Sequence, residues 1–179
     1  MTALLGLKRH RAPAQDLYAA LVEQARRPPF YATLGVPDTV DGRFEMIALH
    51  MFLVLHRLKD EPAAQSFGQA LFDIMFADMD RSLREMGVSD LSVGRHVKRM
   101  AQGLYGRMAA YEAGLAGADD SALAEALRRN VYGTVATPPD PGPLVAYVRA
   151  NVAALAAQEL GDLLAGRARF TEAAGVTAH

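Results

Sequence analysis

The chain has 179 residues, of which 51% are hydrophobic and 22% are charged, and this composition excludes a wholly disordered protein and is typical of a single globular domain. The formal net charge of −1 excludes a protein that binds polyanions through its overall charge, so any electrostatic partner must be sought in local patches. The absence of cysteine excludes disulfides, thiolate catalysis and cysteine-ligated metals, and it fits a reducing cytoplasm.

The first predicted helix covers residues 13–27, where leucines and an alanine recur at a spacing of four and Pro13 suits the first helical position. The residues before it, 1–12, contain an apolar run that is too short for a secretory signal, and we expect a flexible N-terminus there. Residues 28–37 are apolar, short and rich in proline. We expect this segment to be irregular and to cover one end of a helical bundle.

Residues 38–59 are apolar nearly all round when they are projected at about 100° per residue. A surface helix carries one apolar stripe, so this pattern predicts a central helix that packs on two or more sides. A narrow polar seam interrupts it at a spacing of seven, formed by Arg43, His50 and Arg57. Buried polar groups normally find structural partners, so we favour a structural seam. A ligand site at these three residues is the alternative.

Four further helices are predicted near residues 62–86, 92–115, 120–131 and 143–164. Residues 166–179 have little apolar surface to bury, and we expect a flexible C-terminal tail. The fold class is therefore all-α. We predict a single-domain bundle of about six helices, over residues 13–165, around the central buried helix.

Sequence motifs of the common enzyme classes do not occur in the chain, and its histidines are too scattered for a metal site. The run DIMFADMD at residues 73–80 is similar to the aspartate-rich motifs of helical prenyl-diphosphate enzymes. Those enzymes need a second such motif, for which Asp119 and Asp120 are a poor match. We predict no catalytic residue, no metal and no cofactor. The alternatives are a helical enzyme acting on a prenyl diphosphate, or a generic ligand-binding or scaffolding bundle.

Residues 95–107 carry four cations and one histidine but no carboxylate. Such a helix can meet RNA, anionic lipid or an acidic partner, and it can equally be balanced by the acidic helix before it. No helix-turn-helix pattern with an exposed recognition helix occurs, so we do not expect DNA binding.

Two long blocks resemble the ubiquinol–cytochrome c chaperone family: PPFYATLGVPDTVDGRFEMIALHMFLVLHRL at residues 28–58 and LREMGVSDLSVGRHVKRMAQGLYGRMAAYEAGL at residues 83–115. The resemblance implies an assembly chaperone, not an enzyme, that holds newly made cytochrome b of ubiquinol–cytochrome c reductase. It implies a soluble cytoplasmic protein, peripheral to the inner membrane, with a ribosome contact near the tunnel exit. A small partner subunit and a homodimer both stay open. We expect an apolar groove with a basic rim beside the third and fourth helices.

Carried over to matching positions, the resemblance implies nine partner-binding residues: Arg84, Glu85, Gly87, Asp90, Lys98, Tyr105, Gly106, Arg107 and Tyr111. We expect the charges of Arg84, Lys98 and Arg107 to reach outward from the apolar stripes. Structural roles stay open for the others, because Gly87 is also explained as a helix stop and the two tyrosines as core aromatics.

Overall fold

The computed structural model describes the backbone of residues 2–173 and the side chains of residues 10–173 apart from position 91. Within this range all regular secondary structure is helical: α1 (Thr2–Ala25), α2 (Pro28–Ala32), α3 (Val40–Leu58), α4 (Gln65–Glu85), α5 (Asp90–Ala116), α6 (Ser121–Asn130), α7 (Gly142–Ala156) and α8 (Leu160–Leu164). Six of these helices have ten residues or more, and the predicted all-α class is confirmed. None of the described helices is both long and apolar enough to cross a bilayer.

The central helix is α3, which is buried on nearly every side. Eleven of its nineteen residues are buried, and α1, α4, α5 and α7 all pack against it. Its start is set by Thr39, whose hydroxyl oxygen accepts a hydrogen bond from the Gly42 N–H at 3.1 Å and so satisfies one free donor of the first turn. The prediction of a helix that packs on two or more sides is confirmed.

The first helix begins at Thr2 and not at Pro13, which lies inside it. Because proline has no N–H to donate, it is common at the first position of a helix, where that N–H has no helical partner. For this reason Pro13 indicated a helix start. Tertiary packing supports the turn upstream of it, because the ring of His10 lies edge-on to Phe67 of α4 at a centroid distance of 5.9 Å. The backbone of residues 2–12 is therefore helical, and α1 starts earlier than the helix predicted from residue 13.

The last predicted helix is divided into α7 and α8, which are separated by residues 157–159. At this break Arg57 of α3 donates from Nε to the carbonyl oxygen of Leu155 at 3.2 Å. Gln158 turns inward and donates from Nε2 to the carbonyl oxygen of Ala154 at 3.0 Å. Side chains thus bind two carbonyl groups at the end of α7, of which that of Leu155 also accepts from the N–H of Gln158 at 3.2 Å. Neither glycine nor proline marks this break in the sequence.

Residues 167–173, the C-terminal segment, lie between α1 and α7 without regular secondary structure. The N–H of Thr171 donates to Oδ1 of Asn151 at 3.0 Å, Glu172 forms an ion pair with Arg27, and Ala173 is buried. Residues 167–173 of the tail predicted at 166–179 thus contact the bundle, and residues 174–179 lie outside the described residues. Hydrogen bonds to side chains of the bundle hold this segment. The prediction was based on its low apolar content, which does not reveal such hydrogen bonds.

Candidate functional site

A groove opens on the surface where α3, α4 and α5 meet. It consists of two adjoining cavities of about 500 and 540 Å³, which share Leu55, Lys59 and Phe72 and so form one continuous depression. We call it the apolar groove. The cavity between α3, α4 and α5 is lined chiefly by Phe52, Leu55, Phe72, Tyr105, Met108 and Ala109. The adjoining cavity is of mixed character and is lined also by the polar side chains of Lys59, Asp60, Glu61, Gln65 and Gln69.

Aromatic side chains form the outer wall of the apolar groove. Tyr105 is 59% exposed, and its ring centroid lies 5.8 Å from that of Phe72 on the neighbouring helix. Phe76 stacks on Phe72 one turn further along α4, at 6.2 Å. Most large apolar side chains of a folded domain are buried, so an aromatic wall that is open to solvent is characteristic of a contact surface.

A charged cluster closes one edge of the apolar groove. The Nδ1 atom of His56 lies 2.7 Å from Oε2 of Glu112, and Lys59 forms an ion pair with the same carboxylate. Burial raises the pKa of Glu112, but the hydrogen bonds from Lys59 and His56 together outweigh it and hold that pKa below its usual range. This edge therefore carries a carboxylate that stays ionised and is already paired.

A basic stripe, formed by Arg95, Lys98 and Arg99, follows the exposed side of α5. Among the described residues, none of the three has a carboxylate within 4 Å, whereas most other arginines of the bundle are paired. Tyr105 follows Lys98 by seven positions, and at about 100° per residue the two side chains lie within about 20° of each other around the helix. The basic stripe therefore runs into the aromatic wall of the apolar groove.

Arg107 is not part of this stripe, although we expected its charge to reach outward. Its Nε donates to Oε2 of Glu45 at 2.6 Å, its Nη2 donates to the other carboxylate oxygen, and the guanidinium lies over the ring of Phe44 at 5.6 Å. Glu45 is only 6% exposed. Burial raises the pKa of this carboxyl, and the hydrogen bonds from Arg107 oppose that effect. The pair joins α5 to α3.

The glycines inside α5 serve different purposes. A Cβ atom on Gly103 would lie 2.7 Å from Nη1 of Arg107, so this glycine leaves room for the guanidinium to fold back towards Glu45. A Cβ atom on Gly106 would meet nothing within 4 Å. Gly106 therefore lies on the open side of α5, beside Tyr105.

Four of the predicted partner-binding residues lie together at the turn between α4 and α5. Arg84 donates to Asp80 at 2.7 Å and also pairs with Asp90, while Glu85 is exposed. Gly87 has a φ of +82°, a left-handed conformation that ends α4 and that glycine adopts without strain. Thirteen helical residues separate this turn from Phe72, or roughly 20 Å along α4. The turn is thus a separate surface from the apolar groove.

Tyr111 lies in the core and does not reach the surface. It is fully buried, its ring lies 5.4 Å from that of Phe52, and burial raises the pKa of its hydroxyl. Among the described residues, neither its hydroxyl nor the nearly inaccessible Nδ2 of Asn130 has a hydrogen-bond partner. Of the nine predicted residues, the structure therefore gathers Lys98, Tyr105 and Gly106 on the exposed face of α5.

The three residues of the polar seam have separate contacts. Arg43 pairs with Asp38 at the surface, at 2.7 Å, and Arg57 holds the end of α7. His50 is fully buried, with Nδ1 2.7 Å from the carbonyl oxygen of Met46 and Nε2 2.7 Å from the hydroxyl of Tyr147. A carbonyl only accepts, so Nδ1 carries the proton and Nε2 accepts from the tyrosine. Burial lowers the pKa of His50 to about 4, which leaves this ring neutral.

The aspartates of the DIMFADMD run have separate partners. Asp73 accepts from Gln69 at 2.9 Å, and Asp78 accepts from the hydroxyl of Tyr18 at 2.9 Å. Asp120 lies at the start of α6, where it pairs with Arg149 of α7. Within residues 10–173, no three histidine or acidic side chains are grouped so that they could hold a metal ion. The two aspartate motifs therefore do not face one another.

Sequence reasoning missed most of the residues that line the apolar groove. Leu55, Phe72 and Met108 belong to the apolar arcs of their helices, and those arcs predicted burial in the core. One signal was available, because the apolar arc of α4 covers about half of its circumference, which is more than a single neighbouring helix requires. His56 and Glu112 are 56 residues apart, and no pattern connects them.

Comparison with known proteins gives consistent matches over most of the chain. A family model described as Ubiquinol-cytochrome C chaperone matches residues 32–170. The ubiquinol-cytochrome-c reductase complex assembly factor 1 of Xenopus laevis is 28% identical over 153 residues, which are 84% of this chain and 76% of that protein. The factor of the same name from Homo sapiens is also 28% identical, and the match covers 84% of this chain and 51% of that protein. A crystal structure of the Cbp3 homolog from Brucella abortus has a TM-score of 0.84 and 39% identity, and the match covers 95% of this chain and 94% of that one.

Proposed function

The chain belongs to the ubiquinol-cytochrome C chaperone family, and we propose that it is an assembly chaperone for ubiquinol–cytochrome c reductase that holds newly made cytochrome b. The names of the matched frog and human proteins, both assembly factors of that complex, support the first half of this proposal. The apolar groove supports the second half, which is the binding of newly made cytochrome b.

A chaperone for a membrane protein must cover apolar segments before they reach the bilayer, and this requires an apolar surface that is open along its length. The apolar groove has this form, and its wall contains the residue types that are enriched at the centres of protein interfaces, namely tyrosine, phenylalanine and methionine. Met108 is flexible and polarisable, so it can adapt to client side chains of different shapes. Binding in the groove removes the exposed ring of Tyr105 from water.

The basic stripe extends the contact surface beyond the apolar groove. Its three charges are not neutralised by described carboxylates, so they are available to attract an acidic loop next to an apolar client segment. We place this activity in the cytoplasm, peripheral to the inner membrane and near the ribosomal tunnel exit, because newly made cytochrome b emerges there. Arg107 does not contribute, since its charge is paired with Glu45.

Site-specific photocrosslinking tests the proposal. A benzoylphenylalanine at position 105 should crosslink to cytochrome b in a cell-free translation reaction that contains the chaperone and membrane vesicles. The matched control is position 40, because Val40 is 65% exposed and lies about 22 Å along α3 from Leu55. Crosslinks of equal yield at both positions, or none at position 105, would contradict the groove assignment.

The same assay tests the basic stripe. Lys98→Glu together with Arg99→Glu should lower the yield of the crosslink at position 105 several-fold at low salt, and the difference should shrink as salt screens the charges. Arg26→Glu together with Arg129→Glu, two exposed residues outside the stripe, changes the net charge by the same amount and serves as the control. Equal losses from both variants would show that only overall charge matters.

A further inference from the structure

The cleft between α1 and α7 holds the C-terminal segment by its backbone. Gln158 forms two hydrogen bonds with Arg169, because its Nε2 donates to the carbonyl oxygen and its Oε1 accepts from the N–H, each at 2.8 Å. Asn151 accepts from the N–H of Thr171 at 3.0 Å, and Gln24 donates to the carbonyl oxygen of Thr171 at 3.1 Å. Three side-chain amides, from α1, α7 and the break after α7, thus bind the main chain at two positions.

These amides are suited to recognise an extended chain of varied sequence. Gln24, Asn151 and Gln158 are all buried, so they need hydrogen-bond partners wherever a chain lies in the cleft. Four of the hydrogen bonds that they form at residues 169 and 171 are to backbone groups, which any extended peptide offers at alternate residues. The fifth is to a side chain, since Nδ2 of Asn151 donates to the hydroxyl oxygen of Thr171 at 2.7 Å. The side chains of the C-terminal segment add only a few anchors to this backbone recognition.

The length of the cleft matches an extended peptide. At one end a Cβ atom on Gly166 would lie 2.7 Å from the carbonyl oxygen of Pro13, and at the other end Glu172 pairs with Arg27. Six extended residues span roughly 20 Å, and the twelve-residue step along α1 from position 13 to its end at position 25, just before Arg27, spans about 18 Å. Between the two ends, the ring of Phe170 lies edge-on to His50 at 5.4 Å.

We propose that the cleft between α1 and α7 is a separate binding site for an extended peptide segment, and that residues 167–173 are its resident and exchangeable occupant. The incoming segment carries an aromatic side chain for the place beside His50, an acid for Arg27 and a small residue in the place of Ala173. His50 and Leu55 lie about 140° apart around α3, so this cleft and the apolar groove lie on different sides of the central helix.

The attachment of the C-terminal segment is consistent with exchange. It contains one large apolar side chain, Phe170, which remains partly exposed, and it has no secondary structure of its own. It joins the bundle through Gly166, whose φ of +82° forms the turn after α8. Segments with few buried apolar contacts open locally without unfolding the domain.

Amide hydrogen exchange on the full chain is the first test. The N–H groups of Arg169 and Thr171 should exchange at least about tenfold faster than that of Leu53 in α3, at a rate that low concentrations of urea do not change. Exchange at the rate of Leu53, with the same urea dependence, would mean that the segment leaves the cleft only on global unfolding. That result would overturn the proposal.

A peptide titration is the second test. A fluorescent synthetic peptide with the sequence of residues 167–173 should bind the full-length variant Phe170→Ala, Glu172→Lys at least about tenfold more tightly than the unmodified chain, because the variant weakens the resident segment. The control is the same peptide methylated on the Thr171 nitrogen, which cannot donate to Asn151 and should lose binding about tenfold. Equal binding of both peptides, or no binding to a folded variant, would overturn the proposal. If the variant does not fold, the exchange measurement on the unmodified chain decides.

Discussion

At the scale of single residues, a buried and neutral histidine lies at the centre of the molecule. His50 donates to Met46 and accepts from Tyr147, whose hydroxyl in turn accepts from Gln24 at 3.1 Å. An imidazolium has two donors and no acceptor, so protonation would turn the tyrosine O–H away from Nε2 and remove the acceptor that it has in the neutral network. The network therefore requires the neutral ring.

This requirement predicts an acid-sensitive stability. The pKa of His50 is about 4 in the folded chain and about 6.5 in an unfolded one, so its contribution is complete above pH 6.5, declines as the pH falls towards 4 and is constant below that. Between pH 7 and pH 5 we expect a loss of about 2 kcal/mol in the free energy of unfolding. Urea denaturation at both pH values measures it.

The control for this prediction is His50→Gln, which keeps a polar side chain at the position but does not titrate. The carboxylates of the chain affect both proteins alike, so the difference between their two pH profiles isolates the histidine. Parallel profiles for the two proteins would contradict the buried neutral ring.

At the scale of elements, Gly103 and Gly106 of α5 predict opposite results for the same substitution. Gly106→Ala adds a methyl group to open space and should stabilise the chain by about 1 kcal/mol, since alanine favours a helix over glycine. Gly103→Ala should give no such gain, because the new Cβ displaces the guanidinium of Arg107 from Glu45. Thermal unfolding of the two variants compares them directly. A gain of similar size in both would mean that the Arg107 side chain moves without cost.

The elements also differ in how far their sequences predicted them. The all-round apolar pattern of residues 38–59 predicted α3 closely, because an apolar run of this length exceeds an ordinary strand and fits a helix with neighbours on several sides. The start of α1 and the break after α7 were not predicted, because contacts of His10 and Arg57 with distant residues decide them. Local signals such as Pro13 were outweighed by tertiary packing.

The candidate site was also predictable only in part, because the sequence shows local patterns but not the contacts between distant residues. The sequence block around Lys98 and Tyr105 pointed to α5, and both residues lie on its exposed face. The opposite wall of the apolar groove, with Phe72, was assigned to the core, since an amphipathic pattern does not distinguish a covered apolar face from an open one. Arg107 was misplaced because its partner, Glu45, is 62 positions away.

At the scale of the whole molecule, packing around one central helix predicts a single cooperative unfolding transition. Met51 is fully buried in α3, and Met51→Ala should lower the free energy of unfolding by about 3 kcal/mol through lost burial and the cavity that it leaves. Far-ultraviolet circular dichroism, which reports helices, and near-ultraviolet circular dichroism, which reports tyrosine packing, should still give the same midpoint.

The exposed Val40 at the start of the same helix provides the control, since Val40→Ala should change the free energy of unfolding by less than about 0.5 kcal/mol. Separate midpoints from the two probes in Met51→Ala would mean that the helices around α3 unfold independently.

The contact between His50 and Tyr147 also has a consequence for biosynthesis. The two residues are 97 positions apart in the sequence, and Arg57 is 98 positions from Leu155, whose carbonyl oxygen it binds. A ribosome that adds about 5 to 20 residues per second makes the second partner roughly 5 to 20 seconds after the first. During that interval the central helix, with its many apolar residues, has been made without α7 to pack against it. A protein of a chaperone family thus passes through a stage in which its own central helix needs protection from aggregation.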